Sequence, residues 1–140
     1  MEQVTPYLLY EDVAAALDWL SGAYGFKETL RFTDANGRVS HAEMDAGAGG
    51  QFMLGEPGGG YRNPRRSGHR NAFLHVLVED VDAHCERARA AGAAIVSEPA
   101  DKEYGLRTYR SEDPEGHQWD FATLLREVRP EEWGAVSART

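Results

Sequence analysis

His41 and Glu43 stand two residues apart in a run, Arg38 to Asp45, that reads as a strand. Alternation along a strand puts both on one face. An imidazole and a carboxylate so placed could work as a general base or supply two ligands to a metal. They would serve equally well as a polar network on a barrel wall or at a dimer interface. Tyr104, Arg107 and Tyr109 flank a second strand. There the Arg107 guanidinium could grip a substrate carboxylate or phosphate with its two-pronged fork, or simply lie on the surface. The single cysteine, Cys85, falls on the apolar face of a helix, which suits a structural thiol rather than a nucleophile. His69 and His84 read as exposed, and His117 as a turn hydrogen bond. Arg62, Arg65, Arg66 and Arg70 cluster in a Gly/Pro-rich stretch. That cluster is either a solvated linker or a mobile flap that brings an arginine over an anionic ligand. Gly58-Gly59-Gly60 precedes no helix and is no phosphate loop.

The elements that hold these side chains come in two copies. Tyr7-Leu8-Leu9-Tyr10-Glu11-Asp12-Val13 is echoed 68 residues later by His75-Val76-Leu77-Val78-Glu79-Asp80-Val81. Gly50 to Leu54 is echoed 67 residues later by His117 to Phe121. A repeat of this length predicts two equivalent modules whose matching positions converge on one pseudo-symmetric site. In the first module, Val4 to Tyr10 reads as a strand, and Asp12 caps a helix that Gly25 ends. Strands follow at Lys27–Thr33, Arg38–Asp45 and Gln51–Leu54, with turns at Asp34 to Gly37 and Gly47 to Gly50. The second repeats the order: a strand over Asn71–Val78, an Asp80-capped helix to about Ala91, then strands at Ala94–Ser97, Leu106–Ser111 and Gln118–Thr123. Asp113-Pro114-Glu115-Gly116 is a tight turn. The organisation is one α+β domain: a β-α-β-β-β module over 4–55, a linker over 56–70, a second such module over 71–124 and a charged tail over 125–140. In the tail, Pro130 to Trp133 forms a short helical turn.

The 140 residues are enough for one real core. A net charge of −8 argues against nucleic acid and an anionic membrane surface as partners. No apolar run approaches the ~20 residues that span a bilayer, and Met1 to Val4 offers no signal sequence. A cytoplasmic location is expected, in keeping with a lone cysteine.

Two β-α-β-β-β modules, Glu-Asp-Val after each opening strand and Asp-Pro-Glu-Gly-His-Gln-Trp-Asp-Phe over 113–121 resemble the vicinal oxygen chelate superfamily. Its members include glyoxalases, bleomycin-resistance proteins and extradiol dioxygenases. His41-Ala42-Glu43 and Tyr104-Gly105-Leu106-Arg107-Thr108 are similar to segments of its bacterial glyoxalase/bleomycin-resistance branch. The resemblance implies a cupped, open mixed-sheet barrel. It implies metal-ligand positions on the first and last strand of each module, here Tyr7, Met53, His75 and Asp120. Only His75 and Asp120 are conventional donors: protonated tyrosine is a poor ligand, and methionine sulfur suits soft ions. Strand alternation turns Tyr7, Leu9, Gln51 and Met53, with Phe73, His75, Leu77, Gln118 and Asp120, into the cup, and leaves Trp119 in the core.

Two functions follow from this resemblance. The first is a metal-free protein that sequesters a small, partly aromatic molecule, with no cofactor and an acidic cleft suited to a cationic drug. The second is a lyase, isomerase or dioxygenase of the glyoxalase type. It would hold a divalent metal on His75 and Asp120 with help from His41 or Glu43, or use Asp120 or Glu43 as a base without one. The superfamily also implies a homodimer, with modules paired within or across subunits.

Overall fold

The computed structural model describes residues 4–47 and 49–138. Ala48 of the expected 47–50 turn and the last two residues of the tail lie outside them. The elements run β1 (Tyr7–Leu9), α1 (Val13–Tyr24), β2 (Lys27–Thr33), β3 (Val39–Asp45), β4 (Gln51–Gly55), α2 (Pro64–Ser67), β5 (Phe73–Leu77), α3 (Val81–Ala90), β6 (Ala94–Asp101), β7 (Leu106–Glu112) and β8 (Gln118–Leu124), with a 3-10 turn at Pro130–Trp133. Both long helices start as their sequences require. The carboxylates of Asp12 and Asp80 accept from the backbone N–H of Ala15 and Ala83. Gly25 closes α1 in the left-handed region at φ 77°.

Each module folds into its own four-stranded mixed sheet, ordered β1-β4-β3-β2 and β5-β8-β7-β6. In both, the first strand runs parallel to the last, and this pairs Tyr7 with Met53 and His75 with Asp120. The two sheets stay open and do not close into a barrel.

The core sits between the modules. Trp119, Phe52, Phe26, Tyr24 and Phe121 pack ring against ring, with Phe26 and Phe52 each 5.2 Å from Trp119. The aliphatic faces of both long helices close around them through Leu17, Leu20, Val81 and Cys85. The opposite face of each sheet is therefore left outside, with Tyr7, Phe32, Phe73 and Leu77 at 50%, 56%, 49% and 60% exposure.

The junction is made by the turn after β7. Buried Asp113 accepts from the hydroxyl of Tyr10 at 2.7 Å and the indole N–H of Trp119 at 3.1 Å. Its other oxygen takes the backbone N–H groups of Glu115 and His117. Glu115 in turn accepts from the backbone of Glu11 and Asp12 in the first module. His117 donates from Nε2 to the carbonyl of Leu9 at 2.7 Å.

The linker is not the free loop its glycines predict. It contains α2, capped by the buried Asn63. Arg66 pairs with Glu11, and Arg70 donates to Glu112 and to the carbonyl of Gly116, both at 2.7 Å. Arg66 thus ties the linker to the first module and Arg70 ties it to the second. No described helix is long and apolar enough to cross a membrane.

Candidate functional site

Parallel pairing of β5 with β8 sets His75 beside Asp120, and alternation aims both at the outward face. His75 Nδ1 lies 2.8 Å from Asp120 Oδ2. An ionised carboxylate only accepts, so Nδ1 carries the proton and Nε2 faces the solvent side. Arg110, the register partner of Asp120 on β7, places its guanidinium 3.8 Å over the ring centre of Phe73. Its Nε is 3.7 Å from Asp120 Oδ1. These groups, with Val96, Lys102 and Tyr104, line a cavity of about 550 Å³ formed by the second module alone. Trp133 of the tail packs edge-on against Tyr104, ring centres 5.6 Å apart.

On the first module the outward face carries a second cluster. Tyr7 donates to His41 Nδ1 at 2.8 Å, and His41 Nε2 donates to Glu43 at 3.0 Å. Gly55 makes this geometry possible: a Cβ there would lie 2.5 Å from the Tyr7 ring. Met53 and Leu9 flank the cluster, and Gln118 turns to Glu112 at the seam between modules.

Two expected pocket residues lie elsewhere. Tyr109 is fully buried, stacked on Phe121 and bonded to His84 Nδ1 at 2.5 Å. Arg107 makes a two-pronged bond to Asp82 on α3, both contacts at 3.0 Å, and a third to Asp101. Both residues have the parity of the core-facing strand positions, opposite to Arg110. That makes Arg110 the residue the sequence reading overlooked; its pairing with Asp120 was the available signal. His84 is half-buried between the modules, not exposed, because its other nitrogen reaches the carbonyl of Tyr24 at 3.0 Å.

The four positions expected to converge do not meet within one chain. Tyr7 and Met53 share one sheet, His75 and Asp120 the other. As donors within one chain they fall short of a divalent-ion site: the Tyr7 hydroxyl is spent on His41, Met53 sulfur suits soft ions, and His75 and Asp120 alone are fewer than the three or four donors such an ion takes. Among the described residues no group of three or more His, Cys, Asp or Glu is placed to hold a metal.

This duplicated fold, with its paired first and last strands, defines a class. The model of the glyoxalase/bleomycin resistance protein/dioxygenase superfamily matches residues 3–121, and the chain belongs to that superfamily. The crystal structure of TioX from Micromonospora sp. ML1 is 40% identical, with a TM-score of 0.72 over 89% of this chain and 100% of that one. An uncharacterized protein of Mycobacterium bovis is 32% identical over 134 residues, 92% of this chain and 88% of the relative. A superfamily member from Sphaerobacter thermophilus shares the fold at 22% identity, TM-score 0.66, over 88% and 98% of the two chains.

Proposed function

We propose that this protein binds a small, partly aromatic molecule in the cup of its second module without a metal, and acts by sequestration as bleomycin-resistance proteins do. One observation carries this reading. The cup holds one bonded pair, His75 to Asp120, between ring and aliphatic surfaces from Phe73, Tyr104 and Val96. Such a site offers shape, ring faces and a few oriented polar atoms, which is what retention of an organic ligand needs.

Superfamily members often form dimers, and a homodimer is proposed here. Both outward sheet faces carry exposed Tyr7, Phe32, Phe73 and Leu77, and a second copy laying its first-module sheet over the cup would cover them. The test compares binding with turnover. Tyr104→Ala, which removes an exposed ring face of the cup, should weaken ligand binding at least fivefold in a sequestering protein that never transforms its ligand. Metal analysis should find under ~0.1 equivalent of manganese, iron, nickel or zinc, with binding unchanged by a chelator. One equivalent of metal, lost on His75→Ala, would overturn the metal-free reading.

A catalytic reading is favoured by the Glu43–His41–Tyr7 chain. In it Glu43 orients the imidazole and His41 accepts the phenol proton, which makes Tyr7 a candidate acid–base group for a lyase or isomerase. Turnover that Tyr7→Phe abolishes while binding persists would establish it.

A further inference from the structure

We infer that the second-module cup selects an aromatic acid: a planar ring system bearing one carboxylate or a similar oxyanion. The inference rests on the proposed reading of this cup as a ligand site and names its ligand class.

Arg110 is the starting point. Its guanidinium carbon sits over the face of Phe73, 3.8 Å from the ring centre. Its Nε edge faces Asp120 Oδ1 at 3.7 Å, too far for a hydrogen bond. Among the described residues the guanidinium makes no hydrogen bond at all, whereas Arg107 on the same strand makes three. A group with five N–H donors, seated on a ring and only 30% exposed, is thus left with its terminal Nη edge unspent. That edge matches a carboxylate in geometry and charge. Lys102 lines the same cavity and pairs with no carboxylate among the described residues.

The remaining charges point the same way. Asp120 is the one carboxylate lining the cavity, and it is engaged by His75 on Oδ2 and faced by Arg110 on Oδ1. Two cations therefore face one occupied anion, in a chain whose net charge is −8. A cationic ligand, the kind the overall composition suggests, would meet Arg110 and Lys102 first. The ring of the ligand has its own surface in Tyr104, 40% exposed and braced from behind by Trp133.

Three naphthalenes of one shape separate the contributions: 1-naphthoate, neutral 1-naphthalenemethanol and cationic 1-naphthylmethylammonium, titrated by calorimetry into the intact protein. The naphthoate should bind at least tenfold tighter than the ammonium. Arg110→Gln should erase that difference and leave the alcohol within twofold. Lys102→Gln, at an exposed position, should weaken naphthoate about threefold; it keeps the test alive should R110Q misfold by circular dichroism. Equal binding of all three, tighter binding of the ammonium, or indifference to both substitutions would overturn the acid selectivity while sparing the cup as a ligand site. Failure of all three to bind at millimolar concentration would overturn the cup reading and the inference with it.

Discussion

Both ring nitrogens of His84 are engaged, one within its own module and one across the seam to the other. The carbonyl of Tyr24 can only accept, so Nε2 carries the proton and Nδ1 accepts from Tyr109. Burial holds the imidazole below its ordinary pKa, the carbonyl bond opposes this, and nearby Arg87 adds to the lowering. The folded protein therefore resists a proton that the unfolded chain takes up near ~6.5. Stability should be level above that pH and fall as pH drops from there towards the lower folded value. His84→Gln should flatten the slope of the thermal midpoint between pH 5 and 7, and an unchanged slope would remove His84 from the account. A second residue-scale lesson concerns arginines. Arg107 and Arg110 differ by three positions and so face opposite sides of β7. The register that sets His75 opposite Asp120 was legible, because the repeat aligns the first and last strands of each module. Arg110 was legible only by counting back across the 113–116 turn, which sets it opposite Asp120 and on the same face.

At the scale of elements, turn chemistry was the most legible part. The caps at Asp12 and Asp80, the stop at Gly25 and the 113–116 turn stand where their residue types put them. Less legible was what the turn binds. Asp113 holds two side chains and two backbone groups in a buried setting, across a separation of 103 residues from Tyr10. Such contacts have no local signature. Asp113→Ala should cost about 3–5 kcal/mol by leaving the Tyr10 hydroxyl and Trp119 N–H buried without partners; chemical denaturation reads this directly. A loss below ~1 kcal/mol would show that water replaces the carboxylate. Gly55→Ala offers a contrast on β4. The added methyl would push the Tyr7 ring off His41, so the Tyr7–His41 hydrogen bond should vanish from NMR spectra while the melt moves by only a few degrees.

For the whole molecule, the repeat foretold two modules and their shared strand order, but not how the modules sit together. Period-two patterning decides which side of a sheet is apolar; it does not decide which sheet meets which. Here the helix-bearing sides meet, and Trp119 from one module fills the space between Phe26 and Phe52 of the other. The outward faces are left for other company. Light scattering should give a dimer of about twice the 15.5 kDa chain mass. Leu77→Glu together with Phe32→Glu should yield a folded monomer with weakened ligand binding. A monomer in the unmodified protein would mean that the cup works open to water.

The two copies share one core but not one pocket, which separates their fates. Tyr7, His41, Phe73, His75 and Arg110 lie outside the packed interior, so replacing them touches little of what keeps the chain folded. Each outward face can change its chemistry without a compensating change in the core beneath it. Tyr7–His41–Glu43 on one side and Arg110–Asp120–His75 on the other are what such freedom looks like: a duplicated scaffold whose halves share one skeleton and carry different side chains on it.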